Sequence, residues 1–277
     1  MDHCLFPSQG LPRTSYPAGE AREWWDPDNL KNYRIRGGHQ IYGEHDVIYR
    51  FNSMGYRCPE FSTEADIRIV AIGCSYVFGL GLAQEHLFHE RFAERLRSAQ
   101  SRTVVLWNLA VAGSSNDYIS RILHQALPVL DPHVVLVNFT HLRRREYVSV
   151  ENKVLKYLPS HTPADPLSKM LCRHFEALSS PYDDNLNYYR NYKAVEYALA
   201  NRCWLYSQPE WLPAPAYLDR DHWAGPLCSV DKARDGDHPG PASHRVLGAL
   251  YWDKFVARGG LEIVANPLAR RPLENNL

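Results

Sequence analysis

From residue 67 onward, short apolar runs alternate with segments of helical period, and each run ends at small or polar residues. Ile67-Arg-Ile-Val-Ala-Ile72 stops at Gly73, Thr103-Val-Val-Leu-Trp107 stops at Asn108, Val134-Val-Leu-Val137 follows Asp131-Pro132, and Cys203-Trp-Leu-Tyr-Ser207 forms a further run. Between them, residues 84–99 place Leu87, Phe92 and Leu96 at near-helical spacing. Asp117 to Leu127 and Tyr188 to Asn201 repeat that period, and Ala242 to Val256 closes the series. Runs this short and this uniformly apolar suit strands buried on both faces, and strands that alternate with helices pair in parallel. The expected fold is α/β: a three-layer α/β/α parallel sheet with an irregular N-terminal extension and loop insertions.

Three stretches depart from that rhythm. Residues 1 to about 60 are rich in Pro, Gly, Arg and Tyr, with a possible hairpin at Asp46-Val-Ile-Tyr-Arg-Phe51, and read as a wrap on the main domain. Residues 149–186 carry several prolines and read as an insertion or lid. The segment 209–234, with Trp211, Trp223 and four prolines, reads as a long loop, a kind that is commonly functional. The organisation expected is therefore an extension over 1–62, a main domain over 63–260 with its insertion at about 149–186, and a tail over 261–277.

The 31 acidic and 31 basic side chains balance, so no overall field steers the chain toward nucleic acid or an anionic surface, and a small-molecule or carbohydrate partner is the better expectation. The six cysteines are scattered with no Cys-x-x-Cys pair, and the amino terminus lacks the layout of a secretion signal. That combination suggests a cytoplasmic setting. No apolar run approaches the roughly 20 residues needed for a membrane span.

In an open parallel sheet the crevice lies beyond the carboxyl ends of the strands. Ser75 and Gly113 each follow a predicted strand, so clusters remote in sequence should meet there. A serine hydroxyl needs an adjacent base to attack, and His238 is the candidate. Asp235 precedes it by three residues, a spacing that lets both side chains reach one side of a turn, where a carboxylate would hold one imidazole nitrogen protonated. Gly113, lacking a side chain, can present its backbone N–H to a developing oxyanion together with that of Ser75. Cys74 is a rival nucleophile, but neighbouring residues point in different directions and only one of the two can face the crevice.

These three clusters, Gly73-Cys74-Ser75, Asn108-Leu-Ala-Val-Ala-Gly113-Ser-Ser-Asn116 and Asp235-Gly-Asp-His238-Pro, resemble the conserved blocks of the SGNH, or GDSL-like, hydrolase family, with Cys74 where that family commonly has Asp. The resemblance spans residues 67 to about 256. It implies a flavodoxin-like α/β/α domain and a serine esterase or acyl-transfer mechanism with no metal or organic cofactor. Ser75 would be the nucleophile, Gly113 an oxyanion donor, and Asp235 and His238 the rest of the triad. The family's third block, Gly-x-Asn, has no clean match: Asn138 stands early in Val137-Asn138-Phe-Thr140-His141, so Asn138, Thr140 and His141 are the candidates for the side-chain oxyanion donor. Beyond them lie Arg143, Arg144 and Arg145, of which Arg143 and Arg145 are taken as candidate anchors for a substrate carboxylate or phosphate.

Other motifs fail. Gly79-Leu-Gly81 is followed by Gln84 where a dinucleotide loop needs glycine, no Gly-Lys-Ser/Thr follows Gly73, and His86-Leu-Phe-His89-Glu90 matches no zinc-helix order. The function expected is hydrolysis of an acyl ester through a Ser-His-Asp triad. The alternatives are acyl transfer by the same residues, or a non-catalytic binding protein that kept the fold.

Overall fold

All the buried apolar runs become parallel neighbours in one sheet. The computed structural model describes residues 10–150, 154–159, 163, 165–213 and 215–266; Cys4 and residues 267–277 of the expected tail lie outside them. The elements are, in chain order, β1 (Ala21–Arg22), α1 (Leu30–Ile35), β2 (Tyr49–Arg50), β3 (Ile67–Ile72), α2 (Ser75–Phe78), α3 (Phe88–Ala99), β4 (Val104–Asn108), α4 (Asn116–Leu130), β5 (Val134–Asn138), β6 (Arg145–Val148), β7 (Val154–Tyr157), α5 (Pro166–Leu178), α6 (Pro181–Ala198), β8 (Cys203–Pro209), β9 (Trp223–Leu227), α7 (Pro241–Ala257) and α8 (Gly260–Ala265).

The central sheet runs β4-β3-β5-β8-β9 with every pairing parallel. Counted within the sheet, this order is 2-1-3-4-5, the flavodoxin-like arrangement, whose switch point lies between its first and third strands, here β3 and β5. Alternation along each strand sorts the core into two layers. Ile67, Ile69, Val134, Leu136 and Leu205 pack with Phe88, Phe92 and Leu96 of α3 and Leu247, Tyr251 and Phe255 of α7. Val70, Ile72, Val135 and Val137 pack with Ile119, Ile122 and Leu123 of α4 and Tyr188, Tyr192 and Val195 of α6 on the other face. Among the described residues no helix is long and apolar enough to cross a membrane.

Proline accounts for most of the differences from the sequence reading. The stretch expected as an irregular insertion holds α5 and the first turns of α6, because Pro166 and Pro181 stand at the first helical position, where a missing N–H costs nothing. Asp165 and Ser180 cap these helices by accepting from Ser168 N and Asp183 N. Helix α4 likewise runs on through Pro128. The fifth sheet strand, β9, was hidden in the expected loop by Pro226, which is tolerated because β9 lies at the sheet edge.

The N-terminal segment forms no local hairpin at 46–51. Instead β2 pairs antiparallel with β1, Arg50 opposite Ala21. Its side chains enter both core layers, Tyr42, Val47, Tyr49 and Phe51 on the α3/α7 side and Tyr56 and Cys58 on the other. At its centre Asp28 and Arg234 form an ion pair with no exposure on either side chain, Nη2 to Oδ2 2.7 Å. Tyr49 donates to the same carboxylate at 2.6 Å, and Arg234 lies 3.8 Å over the Trp24 ring.

Two buried histidines face the α3/α7 layer. His89 donates from Nε2 to Val77 O at 3.0 Å, and His244 accepts at Nδ1 from Phe88 N at 3.2 Å. Burial drives both imidazoles down to about 3, His89 assisted by the Arg57 charge and His244 by His89. Both stay neutral in the fold, whereas in the unfolded chain they protonate near about 6.5. Their contribution is therefore complete above that value and is lost as pH falls toward 3, at about 1.4 kcal/mol per pH unit for each. Denaturant unfolding is expected to show a loss of about 3 kcal/mol between pH 7.5 and 5.5 from the pair. In His89→Gln, which keeps a donor for Val77 O, that loss should shrink by roughly half; an unchanged slope would assign the acid sensitivity elsewhere.

Candidate active site

Strand β3 delivers the chain to Gly73, where any Cβ would sit 2.4 Å from Val77 Cγ2 and 2.8 Å from Asn138 O, so only glycine allows this close approach to β5. Cys74 is the N-cap and Ser75 the first residue of the four-residue α2. That placement leaves the Ser75 N–H at a helix start, with no intrahelical acceptor. Cys74 is buried, and Ser75, 5% exposed, is the residue that meets the histidine.

Ser75 Oγ and His238 Nε2 are 2.8 Å apart. On the far side of the ring, His238 Nδ1 is hydrogen bonded to Asp235 Oδ2. Since a carboxylate only accepts, Nδ1 carries the proton and Nε2 is left to accept from the serine hydroxyl. The loop holding them is folded around the same carboxylate: the N–H groups of Asp237 and His238 donate to Asp235 Oδ1 at 3.2 and 3.1 Å. Burial by itself would raise the Asp235 carboxyl. The hydrogen bond and charge of His238, with those two backbone donors, outweigh it and leave Asp235 below its ordinary value.

The end of β4 supplies the second cluster. Asn108 donates to Val77 O at 3.0 Å and accepts from Ala110 N at 3.1 Å, tying this strand end to α2. Gly113 has φ +73°, a left-handed conformation, and an added Cβ would lie 3.2 Å from Leu158 Cδ1. Ser114 Oγ donates to Gly73 O at 2.8 Å and so fastens the Gly113 turn beside the nucleophile's strand.

The third cluster differs from the sequence reading. Asn138, expected as an oxyanion donor, continues the alternation of Val134 and Leu136 toward α3 and α7 and is wholly buried. Neither of its amide atoms has a hydrogen-bond partner among the described residues. Thr140 is engaged by Asn116, whose Oδ1 accepts from Thr140 N at 2.9 Å and whose Nδ2 donates to Thr140 O at 3.1 Å. His141 accepts at Nδ1 from Arg143 N at 3.1 Å, which leaves its proton on Nε2. Burial first, then the charges of Arg144 and Arg143, hold this imidazole below its ordinary value and keep it neutral. Its ring centroid is 5.2 Å from that of Trp211, and Tyr76 stands edge-on to His238 at 5.5 Å.

The two arginines taken as substrate anchors face acids on α6. Arg145 is turned inward, 2.9 Å from Asp184 Oδ1 and 3.1 Å from Asp183 Oδ2. Arg143 Nε is 3.7 Å from Asp184 Oδ2. Residues that sequence reasoning missed come mostly from the N-terminal segment. Ala112 N donates to Tyr16 Oη at 2.9 Å, just before Gly113. Arg36 Nη2 donates to Arg234 O at 2.8 Å, just before Asp235. Arg57, wholly buried, donates to Phe78 O, Gly79 O and Leu82 O at 3.0, 2.7 and 2.7 Å, satisfying carbonyls at the end of α2 and in the turn that follows it. Nothing in the local pattern around these residues announces partners so distant in sequence.

No family model and no curated relative matches the sequence. Among solved structures, the chain is similar to TesA, with 13% identity, 68% of this chain and 97% of that one covered, and a TM-score of 0.41. It is similar to the psychrotrophic esterase EstA from Pseudoalteromonas sp., inhibited by monoethylphosphonate (14% identity, 70% and 98% covered, TM-score 0.39). It is also similar to the lipase/acylhydrolase from Enterococcus faecalis (12% identity, 69% and 96% covered, TM-score 0.37).

Proposed function

We propose that this protein is a serine-dependent acyl-ester hydrolase of the SGNH type, acting on a small-molecule or carbohydrate ester. One observation carries the reading: the unbroken relay from Ser75 Oγ through the His238 ring to the buried Asp235 carboxylate. Ser75 attacks the carbonyl as His238 Nε2 takes its proton. The charge that develops on the imidazole is held by Asp235, and His238 then returns the proton to the leaving alcohol. Water, deprotonated by the same nitrogen, attacks the acyl-serine and releases the acid. The oxyanion is met by the N–H groups of Ser75 and Gly113, each typically worth about 3 kcal/mol in the transition state. The side-chain donor of the third cluster falls to His141 Nε2 in place of Asn138.

A panel of 4-nitrophenyl esters with Ser75→Ala and His238→Ala controls tests this reading. A burst of 4-nitrophenol stoichiometric with enzyme is expected, and folded wild-type protein that cleaves none of the esters counts against it. Repeating the panel with alcohol acceptors separates release to water from acyl transfer. Gly113→Ala is expected to cost about 1–2 kcal/mol of stability, since alanine is strained in the left-handed region. Its turnover should fall about tenfold or more as the N–H swings from the oxyanion. Thermal unfolding and kcat together check both, and a variant unaffected in either would remove Gly113 from the site.

A further inference from the structure

We infer that the site takes esters bearing an anionic oxyacid group, a carboxylate or a phosphate, and that Arg144 binds that group beside the reacting carbonyl; this rests on the ester-hydrolase reading above. The three arginines beyond β5 are not equivalent. Arg143 and Arg145 face Asp183 and Asp184, whereas Arg144 has no carboxylate within ion-pair distance among the described residues. Its Nη1 donates to Thr140 Oγ1 at 3.1 Å and reaches Ser114 O at 3.5 Å. Its Nε and Nη2 make no hydrogen bond among the described residues and are not sealed from solvent, so one edge of the guanidinium fork stays open.

Arg144 stands beside the site. Ser114 adjoins Gly113 and is bonded to Gly73 O. Tyr76, the residue after the nucleophile, stands against the His238 ring and lies near enough to Arg144 to feel its charge. Asp237 also faces Tyr76, but no carboxylate of the described residues is ion-paired with Arg144. Glu146 is taken by Arg121 at 2.9 Å, and Asp117 directs its oxygens to Ser115, the Glu146 N–H, Asn187 and Asn191. Lys156, close enough to interact with Arg144, also feels Glu146, and burial holds its ammonium below the ordinary value. A half-buried guanidinium with a free, planar pair of donors and no ion-paired carboxylate among the described residues is arranged for a ligand's oxyacid group.

The test compares kcat/KM on neutral 4-nitrophenyl acetate with that on mono-4-nitrophenyl succinate and on an O-acetylated hydroxyalkyl phosphate, the last two separating carboxylate from phosphate. Wild-type protein should favour one anionic ester, and Arg144→Gln, which can still donate to Thr140 Oγ1, should lower the anionic-to-neutral ratio about ten- to hundredfold. Arg144→Lys should recover only part of it, since an ammonium offers no fork. A second readout needs no turnover: succinate and inorganic phosphate titrated calorimetrically into Ser75→Ala protein, and into the same protein carrying Arg144→Gln. The favoured anion should bind the first at least about tenfold more tightly than the second. Equal binding to both, or a selectivity ratio that ignores Arg144, overturns the proposal. Anion binding that depends on Arg144 in a protein with no esterase activity would instead preserve this site and sink the hydrolase reading.

Discussion

Ser75→Ala is expected to lower ester turnover by at least about four orders of magnitude while leaving the fold intact. The hydroxyl removed makes one side-chain hydrogen bond among the described residues, with His238 Nε2, so its loss takes away the nucleophile and little packing. His238→Ala should have an effect of similar size, because without the imidazole the serine proton has no acceptor. Residues that act as one relay are not additive, and the double variant should be hardly slower than either single one. Asp235→Asn belongs to the same unit and should cost about 10⁴-fold, since an amide facing Nδ1 favours the wrong tautomer. Steady-state kinetics with matched unfolding curves check all four variants. Losses that multiply in the double variant would mean that Ser75 and His238 serve separate steps.

Asp28→Asn should be the most destabilising single change outside the core. It leaves the Arg234 guanidinium buried without a counter-charge, a loss of about 3–5 kcal/mol, or roughly 10 °C in Tm for a chain of this size. The effect should reach activity as well, because Arg234 is the residue before Asp235. Its side chain is held by Asp28 and by Glu44 O at 2.9 Å, and its carbonyl is held by Arg36. Loosening that anchor lets the Asp235–His238 loop drift from Ser75, so kcat should fall well below the unfolding temperature. The double change Asp28→Asn with Arg234→Met removes the stranded charge and should recover part of the stability. A single variant within about 1 kcal/mol of wild type, and no recovery in the double, would show that the N-terminal segment is not the anchor of this loop.

The N-terminal segment is also where sequence reading reaches its limit. Strand ends at Gly73, Asn108 and Val137 could be read because each closes an apolar run with a local change of residue type, and a parallel sheet brings such ends together without any knowledge of loops. The spacing of Asp235 and His238 was legible for the same local reason. Partners such as Asp28 and Arg234, 206 residues apart, leave no local trace. Three consecutive arginines look alike in sequence; Asp183 and Asp184, which divide Arg143 and Arg145 from Arg144, stand on a helix nearly forty residues away. Proline misled in helices and in a strand alike. Taken as a breaker, it concealed α5, the start of α6 and strand β9, in each of which it occupies a position where the absent N–H is not needed. Asn138 shows a further limit: its residue type suits an oxyanion donor, but the two-residue strand period turns it into the core.

The relay is tested most directly by mass spectrometry of the folded protein after brief exposure to a fluorophosphonate. One adduct is expected, on Ser75, at a rate that collapses in His238→Ala. Folded protein that stays unlabelled, or that is labelled elsewhere with Ser75 untouched, would contradict the assignment of Ser75 as a nucleophile activated by His238.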